Sequence, residues 1–240
     1  MRERTTSNRP TGPRLAARPA AVTLLAAAAA VLSMPATAAA QSAAAEAAPE
    51  SALDRALESR SKGAESARVV VFEIADFQCP FCAEFAEQVG PALHDKYVAT
   101  GRVQWVFVNL PMHTHPLAWH AAEAALCAGV AGGEFWSMHD RLFAEQDSWV
   151  GADDPQAVFA GYAADLGVPT DAFRTCTEDD QVASIILQDL GSAVSAGVTG
   201  TPTFIVMQDQ QVVDQLVGVK SVEEWSEVLE GALAEDTGGQ

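Results

Sequence analysis

The stretch "VVVFEIADFQCPFC", residues 69–82, changes character twice. Val69 to Ile74 is dense in β-branched residues and free of turn formers, which predicts a strand buried on both faces in the middle of a sheet. Pro80 suits the first position of a helix, and Phe85, Val89 and Leu93 continue a helical face at four-residue spacing. The joint between strand and helix therefore falls on Cys79. There the unpaired amides and the positive helix end favour a thiolate. Cys82 lies one turn further in. This reading makes Cys79 the exposed, attacking sulfur and Cys82 the buried, resolving one, closing a small disulfide ring that is readily reduced.

Other readings of C-P-F-C compete with this one. Half of a zinc site needs two more ligands at matching spacing. The remaining cysteines, Cys127 and Cys176, fall far apart on different predicted helices without a paired neighbour. His113, His115 and His120 suit a loop leading into a helix at Pro116 better than a metal site, so no metal and no cofactor is expected. A purely structural local disulfide is the third reading. Glu73 stands in the apolar strand, where a carboxylate is costly without a partner or purpose. It is either a buried acid beneath the dithiol, exchanging a proton with Cys82 through water, or an edge residue facing solvent. Asp76 reads as solvated or capping.

Composition narrows the setting. The 240 residues carry 14 Lys and Arg against 32 Asp and Glu, a formal charge of −18, and 49% are hydrophobic. That charge opposes phosphate backbones and anionic lipid, so nucleic acid is not an expected partner. Five arginines up to Arg18 precede the apolar run "AAVTLLAAAAAVL" (20–32), and Ala38-Ala39-Ala40 before Gln41 has the form of a cleavage site. Residues 1–40 read as a signal peptide. The run is shorter than the ~20 strongly apolar residues of a spanning helix. A retained anchor is therefore the lesser alternative. In an exported, periplasmic or extracytoplasmic setting, disulfides persist and thiol exchange is ordinary cysteine chemistry.

Along the chain, 41–66 is read as a flexible leader with a marginal helix near Ser51–Ser59. Residues 67–113 give strand, kinked helix and strand, the kink at Gly90-Pro91. Residues 114–197 are helical throughout, opened by Pro116 and rich in alanine. Residues 198–235 give a hairpin around the polar "QDQQ" (208–211) and a last amphipathic helix, and 236–240 is read as a disordered tail. The fold class is α/β, β-α-β then β-β-α, interrupted by an all-helical insertion.

"FEIADFQCPFC" and the distant "GVTGTPTFIV" (197–206), with helices between, together resemble the DsbA-like branch of the thioredoxin superfamily, exported thiol–disulfide oxidoreductases. The resemblance covers about 66–235. It implies a thioredoxin fold, a redox-active C-x-x-C at Cys79 and Cys82, and a buried acid at Glu73. It also implies a cis-proline at Pro202, with Thr201 beside it pairing with extended substrate. Cys127–Cys176 would be a structural disulfide of the insertion. The implied partners are thiol-containing substrate proteins and a membrane redox partner. Phe81 departs from the histidine that strong oxidants of this branch carry after the proline. A less oxidising disulfide, and hence an exported reductase or isomerase, is the alternative. A redox-idle module that binds unfolded chains is the remaining one.

Overall fold

A computed structural model describes residues 51–234; the expected signal peptide, the leader up to residue 50 and the tail lie outside the described residues. Five strands, β1 (Ser61–Lys62), β2 (Val69–Ala75), β3 (Val103–Asn109), β4 (Thr203–Gln208) and β5 (Gln211–Val217), form one sheet in the order β1-β3-β2-β4-β5. The apolar strand β2 is central, parallel to β3 and antiparallel to β4. Glu73 stands level with Phe107 on one side and Phe204 on the other. It is buried, so the edge position considered for it does not hold. Asp209 and Gln210, both with positive φ, make the two-residue β4–β5 turn, whose twist suits a tight hairpin.

Helix α2 (Pro80–Gln88) leaves the end of β2, and the chain then bends through α3 (Gly90–Leu93) and a π turn at His94–Val98. The interruption falls at the Gly90-Pro91 step, where proline has no N–H to give the preceding turn. On this face of the sheet Phe85, Trp105, Phe204 and Trp225 form an aromatic core, with Phe85 and Phe204 centroids 4.5 Å apart. Trp225 comes from the last helix, α10 (Val222–Ala234).

Between β3 and β4 come α4 (Ala118–Gly132), α5 (Phe135–Ala144), α6 (Gln146–Val150), α7 (Pro155–Asp165), α8 (Thr170–Glu178) and α9 (Ala183–Ser195). α4 is buried along most of its length, and its alanines let the surrounding helices approach closely. A disulfide joins Cys127 on α4 to Cys176 on α8, with Cα atoms 5.6 Å apart and 49 residues of sequence separation. In the chain-entropy picture such a loop contributes about 4 kcal/mol. Cys79 and Cys82 belong to the same buried cluster as this insertion core.

The leader read as flexible over 41–66 departs from the structure between residues 52 and 62. α1 (Ala52–Ser59), closed at its start by a Ser51–Asp54 capping box, packs on α4, and β1 extends the sheet. The marginal helix expected near Ser51–Ser59 is present as α1, and its stability comes from tertiary burial of Ala56 rather than from its own propensity. Gly129 permits the approach, since a Cβ there would lie 2.9 Å from the Ser59 Cβ. Gly129→Ala is expected to lower stability by about 1–3 kcal/mol by overpacking, read as a drop in Tm. Ser59→Gly in the same chain should recover part of the loss.

Candidate active site

The structure puts Cys79 at the N-cap of α2 with Pro80 in the first turn and no acidic residue there. Its carbonyl accepts from the N–H groups of Cys82 (3.1 Å) and Ala83 (3.2 Å), which starts the helix. Its Sγ lies 3.4 Å from the carbonyl oxygen of Thr201, and the Thr201–Pro202 peptide is cis. Phe81, 59% exposed, stands at the mouth of the site, whereas Cys79 is 5% and Cys82 0% exposed. Cys79, Cys82, Phe81, Thr201 and Pro202 are thus brought together from two distant segments. The two cysteines are in the dithiol form.

The two sulfurs hold protons unequally. The Cys79 thiol is lowered to about 5, chiefly because the Cys82 side chain donates to it. Burial opposes this, and the Thr201 side chain and the backbone N–H groups of Cys82 and Phe81 add to the lowering. As a neutral thiol Cys79 can donate weakly to the Thr201 carbonyl; once ionised it accepts only. Cys82 is pushed well up, first by burial, then by its bond to Cys79 and the charge there. One proton is therefore held between the pair, on Cys82.

The loop before Cys79 is pinned by side chains that sequence reading passed over. Asp76 is buried, with Oδ1 accepting from the Gln78 N–H and Oδ2 from the Met112 N–H and His115 Nδ1, each at 2.7 Å. Of the two readings of Asp76, solvated or capping, the solvated one does not hold: the buried carboxylate caps two backbone segments. Gln78 Oε1 accepts from the Leu117 N–H at 2.9 Å. Gln146 Nε2 donates to the carbonyls of Phe77 (2.7 Å) and Cys79 (3.1 Å). The local signal is two polar residues, Asp76 and Gln78, at an apolar strand end; pairings across 39 or 67 residues have no local signature.

Glu73 lies behind the site. Its Oε2 accepts from Trp105 Nε1 at 2.7 Å, and no hydrogen bond joins it to either cysteine among the described residues. Burial raises its carboxyl; His139, the Trp105 bond and Lys62 pull it back down. His120 bonds Glu123 at 3.3 Å. Among the described residues no group of three or more His, Cys, Asp or Glu is placed to hold a metal ion.

A family model described as thioredoxin matches residues 55–230. The chain belongs to the thioredoxin family. Within it, the solved structures place the fold beside DsbA proteins. Alpha-DsbA1 of Wolbachia pipientis superposes with a TM-score of 0.65 at 22% identity, covering 73% of this chain and 91% of that one. DsbA2 of Pseudomonas aeruginosa gives 0.59 at 26%, covering 75% and 96%. Among curated relatives, the Na+/H+ antiporter NhaA 3 of Salinispora tropica is 40% identical over 146 residues, 60% of this chain and 21% of the antiporter. A Rickettsia felis protein provisionally named a protein-disulfide oxidoreductase is 25% identical over 174 residues, 72% of this chain and 59% of that protein. The chain therefore spans only part of these relatives' lengths, a fifth in the antiporter's case.

Two outcomes follow from the geometry. Alkylation of Cys79 by iodoacetamide should rise with pH through a midpoint near 5, where an ordinary thiol would give about 8.5. Glu73→Gln should stabilise the fold at neutral pH by on the order of 1 kcal/mol. Below the ordinary carboxyl value of 4.5 both states carry the proton and Glu73 costs nothing. Above it the unfolded chain ionises freely while burial makes the folded carboxyl hold its proton to higher pH, so stability falls as pH rises until the folded carboxyl ionises too. The gain from Gln should be absent near pH 4 and grow toward pH 7, as checked by urea unfolding at each pH.

Proposed function

We propose that the chain is an exported thiol–disulfide oxidoreductase that introduces disulfides into substrate proteins at its C-P-F-C site. The unequal proton affinity of Cys79 and Cys82 carries this reading. A substrate thiolate attacks Cys79 Sγ of the oxidised pair; the Cys79–Cys82 bond breaks, and Cys82 leaves with the electron pair and takes up a proton. A second substrate thiolate then attacks the substrate sulfur of the mixed disulfide and expels Cys79 as a thiolate. The substrate loses two electrons and two protons, and the pair gains two electrons. A thiol lowered to about 5 is a good leaving group, and stabilisation of its thiolate stabilises the reduced pair, which makes the disulfide oxidising.

Thr201 and Pro202 would flank an extended substrate segment and hold it against Cys79, with backbone pairing giving affinity without sequence preference. Phe81 would supply an apolar contact. Glu73 would exchange the Cys82 proton through water. A membrane redox partner would re-oxidise the pair. The basic, apolar N-terminal run and the Cys127–Cys176 bridge support an oxidising compartment.

One observation favours a second reading. Phe81 offers no positive charge beside Cys79, so the disulfide would be less oxidising and the chain an exported reductase or isomerase. The reduction potential, measured against glutathione buffers, separates the two. A value above ~−180 mV is expected for the donor, and one near ~−270 mV overturns it in favour of the reductase. Cys79→Ser should abolish exchange in either case. A variant that kept full activity would leave only polypeptide binding.

A further inference from the structure

We propose that His139, backed by Asp140, is the positioned proton carrier that connects Glu73 to bulk water during exchange at the dithiol. This rests on the thiol–disulfide chemistry proposed above and adds a route that the chemistry requires. Each turnover moves a proton on or off Cys82, which is fully buried and has no water contact of its own.

The route is laid out by three side chains. Trp105 occupies Glu73 Oε2, while Oε1 is buried with no hydrogen-bond partner among the described residues. His139 is caged by aromatic rings, with Phe107, Trp136 and Phe143 centroids 5.1, 4.9 and 4.9 Å from its own. Its Nδ1 is 2.7 Å from Asp140 Oδ1. With the carboxylate accepting there, Nδ1 keeps its hydrogen and Nε2 presents a lone pair. That Nε2 is also buried without a partner among the described residues. The His139 side chain is 3% exposed and that of Asp140 is 73% exposed. The adjacent pair therefore spans the wall between interior and solvent.

Glu73, His139 and Asp140 line one cavity of about 390 Å³, ample for several waters. Its lining includes Phe85 and Ala86, three and four residues beyond Cys82 on α2, so the route from Cys82 to Glu73 runs along one turn of that helix. The other ionisable groups facing it are Glu87 from α2, and His94 and Asp95 from the π turn. Lys62 from β1 approaches from one side, its Nζ 2.7 Å from His94 Nδ1 and 3.7 Å above the Trp136 ring. Of that pair His94 is not the carrier, and Lys62, lowered to about 8 chiefly by burial, is held against His94 and the Trp136 ring. Burial first, then the Lys62 charge, lowers His94 to about 3, so it stays neutral at working pH and accepts from Lys62. The Lys62 charge favours the Glu73 carboxylate. His139 also favours that carboxylate, and more strongly than Lys62.

The step balances without a further reactant. In the mixed disulfide, Cys82–SH passes its proton through water to Glu73 Oε1, and Glu73 passes it to His139 Nε2. The imidazolium, held by Asp140, releases it to solvent. The Cys82 thiolate then attacks Cys79 Sγ and expels the bound thiolate. In the opposite direction the same groups deliver the proton.

The test uses the full chain with Cys79 loaded as a mixed disulfide with glutathione, and follows glutathione release by rapid quench across pH. His139→Asn is expected to slow release about tenfold or more near pH 6, with the deficit shrinking toward pH 9 as hydroxide takes over the proton. Asp140→Asn, at an exposed position that leaves the aromatic cage intact, should give a smaller deficit with the same pH trend. Alkylation of Cys79 in the reduced chain should match the wild type in both variants. A Glu73→Gln and His139→Asn double variant should be no slower than Glu73→Gln alone. Release that is unchanged in both variants, a deficit that is uniform across pH, or additive losses in the double variant would each overturn the relay while leaving the oxidoreductase intact. A wild-type chain that releases no glutathione at any pH would instead remove the reading on which the relay rests.

Discussion

A buried carboxylate that accepts from two backbone amides and one imidazole fixes everything downstream of it. Asp76 ties the end of β2 to the segment entering α4, and the loop so tied leads into the first turn of α2. Cys79 then falls at the N-cap. An ionised side chain stripped of water is tolerated only when its lone pairs are filled, and here three donors fill them. The helix start, the low proton affinity of Cys79 and its approach to Thr201 all inherit their geometry from that anchor.

From the anchor onward, the difference between the two cysteines is a matter of position on one turn of helix. Cys79 collects donors, the Cys82 side chain foremost, while Cys82 collects apolar walls. Neither needs a charged neighbour. Phe81 brings no cation, and the donors to Cys79 come from the Cys82 and Thr201 side chains and from backbone N–H groups. The same economy explains why acidity of the whole chain does not suppress a thiolate at this site: the first turn of α2 carries no carboxylate, and the surplus negative charge resides elsewhere on the surface.

Much of this was legible in residues 69–82 alone. β-Branched density marked the central strand, proline marked the helix start, and the two together located Cys79. The hairpin could be read from "QDQQ", and the helical block from its alanines and glycines. What escaped was whatever depends on distant partners. α1 looked marginal because its stability lies in Gly129 across the interface. Asp76 read as solvated or capping, without its partners, because Met112 and His115 are remote in sequence. Glu73 stands out for its oddity in an apolar strand, but Trp105 and His139, which define its surroundings, carry no local sign of that role. Local pattern reports periodicity and polarity; it is blind to which polar atom will face which.

The loop carrying Cys79 is laced to the helical insertion through Gln146, through Gln78 and Leu117, and through Asp76 and His115. The sheet half presents the cysteines, but the insertion sets the coordinates at which they stand. The two halves are therefore not interchangeable parts. Exchanging this insertion for another would replace the anchors of the active loop, so the reactivity of Cys79 is tied to the insertion as much as to the sheet.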